Sequence, residues 1–151
     1  MKNFENHAHE ASAYIKNLAT ELGHPEAVGQ SLILLRAVLH TLRDRITIGE
    51  SLHLLSQLPL ILKGIYVEHW EYKEKPVAFQ SLDEFKDAVE KEQAKHGEHE
   101  FNWNESTDQL VARVLASLGK HFLNDGQLHH IAVQMPKEVQ QLFPEKSEST
   151  K

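Results

Sequence analysis

The chain has 151 residues, of which 40% are hydrophobic and 25% are charged, so it is long enough for one domain with a core of ordinary size. Its formal net charge of -6 argues against nucleic-acid binding, because phosphate contacts require a local excess of Lys and Arg. The lack of cysteine excludes disulfides, thiolate nucleophiles and cysteine-ligated metals. With neither a signal peptide nor an apolar run near the ~18 residues of a membrane span, we expect a cytoplasmic protein without a membrane segment.

In the first half, apolar residues recur every three or four positions, which predicts amphipathic helices rather than strands. Gly23 is expected to end the first helix in a left-handed cap, and Pro59 to start the fourth. The capping-box spacing of residues 47–50 opens the third helix. The four predicted helices cover residues 4–22, 28–46, 48–57 and 59–70.

The second half repeats this alternation after a connection over residues 71–80, which lack periodicity and contain Pro76. A capping box at residues 81–84 opens a fifth helix, and residues 97–105 are polar and typical of a turn. We predict a turn at Asn124-Asp125-Gly126 as well, because Asp and Gly both tolerate a positive φ. The remaining predicted segments are a sixth helix along the apolar stripe 110–122, a short seventh helix, an eighth over residues 136–143, and a disordered C-terminal tail over residues 144–151.

The two halves align with each other. Residues 31–46 match residues 107–122 at an offset of 76, and after one inserted residue Gln57-Leu58-Pro59 falls on Gln134-Met135-Pro136. Each unit alone is too small to bury its apolar face. We therefore predict an all-α fold with a two-fold internal repeat of about four helices each, packed as a single helical bundle over residues 1–143. Repeat 1 covers about residues 4–70 and repeat 2 about residues 81–143.

The repeat helps to distinguish structural residues from functional ones. Positions that both halves share are explained by folding, so functional side chains are sought among polar residues that occur in one half only. Among the polar residues of the first half only, Arg36, His40 and Arg43 lie on neighbouring turns of the second helix. Together they offer guanidinium groups to a carboxylate or phosphate. The alternative is a solvated helix face, with Arg43 placed favourably against the negative end of the helix dipole.

Lys63, Tyr66 and Trp70 form a second group of candidates after Pro59. Tyr66 recurs as Phe143 in the second half, which favours a place in the core. Trp70 has no apolar counterpart there, so it is either an exposed anchor for a partner or a ring that closes the end of the helical core.

The sequence contains no motif that is typical of a metal site or of a catalytic site. The eleven histidines include the pairs His7/His9, His96/His99 and His129/His130, but none has the helical i, i+4 spacing with a third ligand that zinc needs, so we predict no metal and no cofactor. Neither a Gly-x-Ser-x-Gly motif nor a glycine-rich phosphate loop occurs, and close carboxylates lie on polar helix faces. We predict no catalytic residue and favour a non-enzymatic protein over an enzyme.

The run from Leu35 to Arg45, Leu-Arg-Ala-Val-Leu-His-Thr-Leu-Arg-Asp-Arg, is followed by Gln57-Leu58-Pro59, then residues 64–66 and Trp70. In this combination the chain resembles, from about residue 14 to residue 143, a bacterial family catalogued as domain of unknown function 2267. The resemblance implies a small bacterial helical protein and transfers no activity to any residue. The second half departs from the motif, with Met135 for Leu and no Arg-Asp-Arg, so two equivalent sites are not expected.

Two hypotheses for the function follow. The first is a non-enzymatic helical protein-interaction module that presents a face near Arg36, His40, Arg43 and Trp70 to an unknown partner protein or to a second copy of itself. The alternative is a small-molecule or anion-binding protein, in which Arg36, His40, Arg43 and Lys63 converge on one pocket.

Overall fold

The computed structural model describes residues 2–71, 73, 80–98 and 100–145, and these form eight α-helices and no β-strand. The predicted all-α class is confirmed, and the helices pack compactly against one another. In chain order they are α1 (Phe4–Glu21), α2 (Val28–Arg43), α3 (Ile48–Ser56), α4 (Leu60–Val67), α5 (Leu82–Ala94), α6 (Thr107–His121), α7 (Asp125–Ala132) and α8 (Lys137–Gln140).

Helix α2 lies at the centre of the bundle. It packs on α1, α4, α5 and α6, and its contact with α5 is the most extensive in the structure. Of the residues from Leu34 to Arg43, every one except Arg36 is buried. A helix that is buried almost all round is a central one. From α5, Phe85 and Val89 are fully buried and belong to the same core as the apolar residues of α2.

Outside α2, α1 packs on α4 and α6, α5 packs on α6 and α8, and α3 packs on α4 and α7. Exchanging the first four helices with the last four turns the contact of α1 with α4 into that of α5 with α8, and the contact of α1 with α6 into that of α5 with α2, whereas the contact of α3 with α4 has no counterpart of similar extent between α7 and α8. Helix α8 has only four residues, whereas its counterpart α4 has eight, so the two halves differ in length at their ends. The two-fold repeat itself stays a prediction.

Four local predictions need correction, the first of them being that helix α4 ends at Val67 and not at residue 70, because Glu68 leaves the helical backbone conformation. Helix α2 ends at Arg43 rather than at residue 46, because Asp44 and Arg45 turn the chain while Ile46 remains buried outside the helix. Helix α8 ends at Gln140 instead of near residue 143, although Phe143 is still buried. At the ends of both α2 and α8, apolar residues keep the helical spacing beyond the last residue of the helix, because a side chain can be buried without a helical backbone.

The predicted turn at residues 124–126 is instead the start of α7. Asn124 is the N-cap, and its side-chain oxygen accepts a hydrogen bond from the backbone N–H of Gln127. The Gln127 side chain in turn accepts from the Asn124 N–H, which completes a capping box.

Parts of three predicted segments lie outside the described residues: residues 72 and 74–79 of the connection, residue 99 of the polar turn and of the pair His96/His99, and residues 146–151 of the C-terminal tail. Across the described ranges, none of the helices combines the length and apolarity that a bilayer crossing requires.

Candidate functional site

The candidate residues of α2 meet the C-terminal end of α4. Arg43 Nη1 donates to the carbonyl oxygens of Tyr66 at 2.9 Å and Glu68 at 2.6 Å. Its Nε donates to Asp44 Oδ1 at 2.9 Å. The last carbonyls of a helix have no partner within the helix, so the Arg43 guanidinium supplies the donors that the end of α4 needs.

His40 lies one turn earlier on α2 and is 5% exposed. Its Nε2 lies 2.7 Å from the Ile65 carbonyl oxygen. Because a carbonyl oxygen can accept a hydrogen bond but cannot donate one, Nε2 is the nitrogen that carries the hydrogen. Burial, supported by the nearby charge of Arg43, lowers the pKa of His40 below its ordinary value despite the hydrogen bond to Ile65. Burial thus favours the neutral imidazole, whose Nε2–H donates to the end of α4 beside the donors of Arg43.

Arg36 forms an ion pair with the Glu68 side chain, with 2.8 Å between Nε and Oε1. The same carboxylate oxygen lies 3.9 Å from His40 Nε2. The three candidates of the row thus converge on residues 65–68. Their exposure contradicts the solvated-face interpretation, because Arg43 and His40 are both 5% exposed. That interpretation was wrong because the carbonyls that bury these groups lie more than 20 residues further along the chain.

Trp70 closes this end of the helical core. Its ring makes an edge contact with Tyr66 at a centroid distance of 5.8 Å, and the Arg43 guanidinium carbon lies 5.9 Å from its centroid. Trp70 is partly buried, while Tyr66 is fully buried and hydrogen-bonds through its hydroxyl to Ser51. Burial raises the pKa of Tyr66 well above its usual range.

Lys63 does not join the other candidates. It lies on α4, is half-buried, and makes no side-chain hydrogen bond or ion pair to any residue that the structure describes.

A polar cleft of about 310 Å³ opens beside the row, between the ends of α2, α4 and α5. Besides three histidines, its walls carry three carboxylates and three Lys or Arg side chains, and two of these cations are already paired, Arg43 with Asp44 and Lys95 with Glu92. His69 lies on its edge with a φ of 55°, the left-handed conformation that ends α4. The lining residues are His40, Arg43, Asp44, His69, Glu71, Lys73, Glu92, Lys95 and His96. Within the described residues, no group of three His, Asp or Glu side chains is placed to hold a metal ion.

A polar network between α1 and α6 was not anticipated from the sequence. The Tyr14 hydroxyl and Ser117 Oγ are 2.8 Å apart, and Ser117 Oγ donates to Glu21 Oε1 at 2.6 Å. His121 Nε2 lies 2.9 Å from the other Glu21 oxygen. These residues are about 100 positions apart along the chain, and no spacing rule connects them.

A second unanticipated cluster joins the turn between α1 and α2 to the segment before α6. His24 stacks on Trp103 with the two rings nearly parallel, at a centroid distance of 4.1 Å. Its Nε2 is 2.8 Å from Glu105 Oε1, and Arg113 Nη1 donates to the same oxygen and to the Leu22 carbonyl. The only sequence signal was the aromatic pair Phe101 and Trp103 within a polar stretch.

Taken together, the fold and the sites define a small helical protein whose conspicuous buried charges serve its own architecture. Residues 12–142 match the family model described as uncharacterized conserved protein, DUF2267, and the chain belongs to that family. The membership of the family with domain of unknown function 2267, which the sequence indicated, is thereby confirmed. A comparison with curated proteins gives no match.

Proposed function

We propose that the protein is a non-enzymatic interaction module that associates with a second copy of itself through the α3–α4 hairpin, residues 48–67. The observation that carries the proposal is the placement of exposed aliphatic side chains. Six large hydrophobic residues are exposed in the described part of the chain, and four of them lie on this hairpin: Ile48, Leu52, Leu60 and Val67.

Each helix of the hairpin arranges these residues as a stripe. Ile48 and Leu52 are four positions apart on α3, and Leu60 and Val67 are seven apart on α4, so each pair lies on one helix face. Leu52 and Leu60 are each more than half exposed. Apolar faces of this kind on neighbouring helices mark contact surfaces for other proteins.

Charge supports a second copy as the occupant. Residues 46–67 contain one acidic residue, Glu50, and one basic residue, Lys63, whereas the whole chain has a net charge of -6. Two identical acidic molecules repel each other least where their surfaces are neutral. The sequence led us to expect a partner face near Arg36, His40, Arg43 and Trp70. The first three groups are engaged within the chain and Trp70 packs on Tyr66, so the proposal moves the face to the adjoining hairpin.

The test is the molecular mass in solution over a range of protein concentrations, measured by sedimentation equilibrium. A two-helix contact is small, so we expect a weak dimer with a dissociation constant of roughly micromolar order. Leu52→Glu should give a monomer at every concentration. Ala13→Glu adds the same charge at an exposed position of α1 and should leave the dimer intact.

Two results would contradict the proposal. One is a wild-type protein that stays monomeric at the highest concentration; the other is a dimer that Leu52→Glu and Ala13→Glu affect equally. Because a damaged fold would also abolish the dimer of a variant, helical content and thermal unfolding of both variants accompany the mass measurement. The cytoplasmic location expected from the sequence is part of this proposal, and fractionation of expressing cells tests it.

The 310 Å³ cleft supports a second candidate function, the binding of a small polar molecule. Its carboxylates balance its Lys and Arg side chains, and the Arg43 guanidinium is occupied, so the cleft suits a zwitterion better than the carboxylate or phosphate expected from the sequence. Thermal unfolding with L-serine, acetate and inorganic phosphate, each at millimolar concentration, tests this. Stabilisation by L-serine that Lys95→Ala abolishes would support the candidate, and equal effects of all three probes would reject it.

A further inference from the structure

Another cleft, of about 240 Å³, lies between α5 and the segment that leads into α6. The rings of Phe101 and Trp103 line it together, with 4.8 Å between their centroids and 37° between their planes. Aromatic rings attract alkyl groups, and their faces also attract cations. Sites for drug-sized ligands measure about 300–1,000 Å³, so this cleft suits a smaller molecule.

Contacts with other parts of the chain hold Trp103 in place. His24, in the turn between α1 and α2, stacks on its ring with 5° between the two planes. Two residues after Trp103, Glu105 Oε1 accepts a hydrogen bond from Arg113 at 3.2 Å and lies 2.8 Å from His24 Nε2. The aromatic wall is therefore fixed by the fold itself, which lowers the cost of ordering it when a ligand binds.

Negative charge predominates around this cleft. Three carboxylates line it, those of Glu90, Glu100 and Glu105, whereas Lys86 is the one Lys or Arg among the lining side chains. Arg113 contacts Glu105 from outside the lining. Counted with histidine neutral, three negative charges thus face two positive ones, so the group keeps a net negative charge.

The first turn of α6 borders the same cleft, and the start of a helix by itself favours an anion. This helix start is already capped, because Ser106 Oγ accepts from the Gln109 N–H and the Gln109 side chain accepts from the Ser106 N–H. The hydrogen bond from Ser106 is the main cause that lowers the pKa of Asp108, and the charge of Lys86 adds to this effect. The Lys86 ammonium therefore already faces a carboxylate, and the cleft favours a cation over an anion.

We propose that this cleft binds a small alkylammonium cation, whose alkyl groups pack on Phe101 and Trp103 while its positive charge faces Glu90 and Glu100. A quaternary ammonium group suits both features, because its methyl groups surround the charged nitrogen. The proposal is independent of self-association, since the residues that line the cleft lie outside the α3–α4 hairpin. It also concerns a different cleft from the one between α2, α4 and α5.

Isothermal titration calorimetry on the full chain, with choline chloride as the probe, tests the proposal. Choline should bind with a dissociation constant of roughly millimolar order, as expected for a small ligand in an open cleft. Its neutral carbon isostere, 3,3-dimethylbutan-1-ol, should bind about tenfold more weakly, because it fills the same space without the charge. Sodium chloride and inorganic phosphate, at the same ionic strength as choline, should give no saturable heat.

Two substitutions separate the carboxylates from the rings. Glu100→Gln removes an exposed negative charge of the cleft and should weaken choline binding about three- to tenfold. Trp103→Leu keeps an apolar side chain without a π face, so it should weaken binding about tenfold or more. The matched control is Glu5→Gln, which removes an exposed carboxylate of α1 and should leave the affinity unchanged.

Circular dichroism and thermal unfolding check the fold of each variant, and because Glu100 is exposed, Glu100→Gln tests the site even where Trp103→Leu fails to fold. The proposal is overturned if choline gives no saturable heat, or if the neutral isostere binds equally well. Binding of phosphate in preference to choline would also overturn it. So would equal effects of Glu100→Gln and Glu5→Gln on the affinity for choline.

Discussion

Arg43 on α2 donates a 2.6 Å hydrogen bond to the backbone carbonyl of Glu68, just beyond the last residue of α4. The same Nη1 also binds the Tyr66 carbonyl, and His40 binds the carbonyl of Ile65. Two side chains of the central helix therefore donate hydrogen bonds to three backbone carbonyls, those of residues 65, 66 and 68, at the C-terminal end of α4. Arg43 and His40, which the sequence suggests as ligand-binding residues, therefore stabilise the fold of the protein itself.

Arg43→Ala should lower the free energy of unfolding by about 3 kcal/mol, because it leaves the Tyr66 and Glu68 carbonyls without a donor in a buried place. Arg43→Lys keeps the charge but loses the planar fork, so it should recover only part of this loss. Arg36→Ala removes one partly exposed ion pair and should cost about 1 kcal/mol. Urea unfolding followed by circular dichroism measures all three, and equal losses for Arg43→Ala and Arg36→Ala would contradict the structural role of Arg43.

The sequence predicts the helices well where local chemistry decides their limits. Gly23 has a φ of 89° and ends α1 one residue from the expected position, and Thr47 and Ser81 both accept the N-cap hydrogen bonds that start their helices. Neither predicted capping box is reciprocal, because the Thr47 N–H donates to Gln134 and the Glu84 carboxylate accepts from the Gln80 N–H. These signals involve residues three or four positions apart, which is why they can be read without a structure.

The candidate site was harder to predict because its contacts are long-range. The periodicity of α2 places Arg43 on a turn next to His40, but only the position of α4 decides whether a guanidinium meets solvent or carbonyl groups. The same holds for Tyr14 and Ser117, which are 103 residues apart, and for His24 and Glu105, which are 81 apart. Polar residues that pair across the fold carry no local pattern of their own.

The contact between α2 and α5 should dominate the stability of the fold. Phe85 of α5 is fully buried in the core that it shares with the apolar residues of α2, and truncating it leaves a cavity there. Phe85→Ala should therefore lower the free energy of unfolding by about 3–5 kcal/mol, whereas Phe85→Leu should cost clearly less. Chemical denaturation measures both variants. A loss below about 1 kcal/mol for Phe85→Ala would show that α5 is a peripheral helix.

Two helical glycines should respond to the same substitution with opposite signs. A Cβ at Gly64 in α4 meets no atom within 4 Å, so Gly64→Ala should stabilise the fold by about 0.5–1 kcal/mol through helix propensity. A Cβ at Gly119 in α6 would lie 2.7 Å from Leu128 Cδ1, and Leu128 is buried. Gly119→Ala should thus cost about 1 kcal/mol by overpacking. Thermal unfolding at low protein concentration, where α4 is free of a second copy, compares the pair; stabilisation by both would refute the close approach of α6 and α7.

Protonation of the Glu21 carboxylate should contribute to the loss of stability of the protein in acid. Partial burial raises its pKa, but hydrogen bonds from Ser117 and His121 outweigh this, so the pKa of Glu21 in the folded state lies below the ordinary value of 4.5. The unfolded chain then binds the proton more readily than the folded one. The stabilisation by Glu21 is present above pH 4.5 and is lost as the pH falls through the folded-state pKa.

Glu21→Gln should consequently be less stable than the wild type near neutral pH and should lose less stability on acidification. The melting temperatures of the two proteins should therefore approach each other in acid. Glu26→Gln neutralises an exposed carboxylate in the turn after α1 and should follow the wild-type pH profile. Melting temperatures from neutral pH to about pH 3 give both profiles, a range that spans the ordinary titration of glutamate. A constant difference between Glu21→Gln and the wild type over the whole range would mean that Glu21 acts by packing alone, and that its hydrogen bonds to α6 do not depend on its charge.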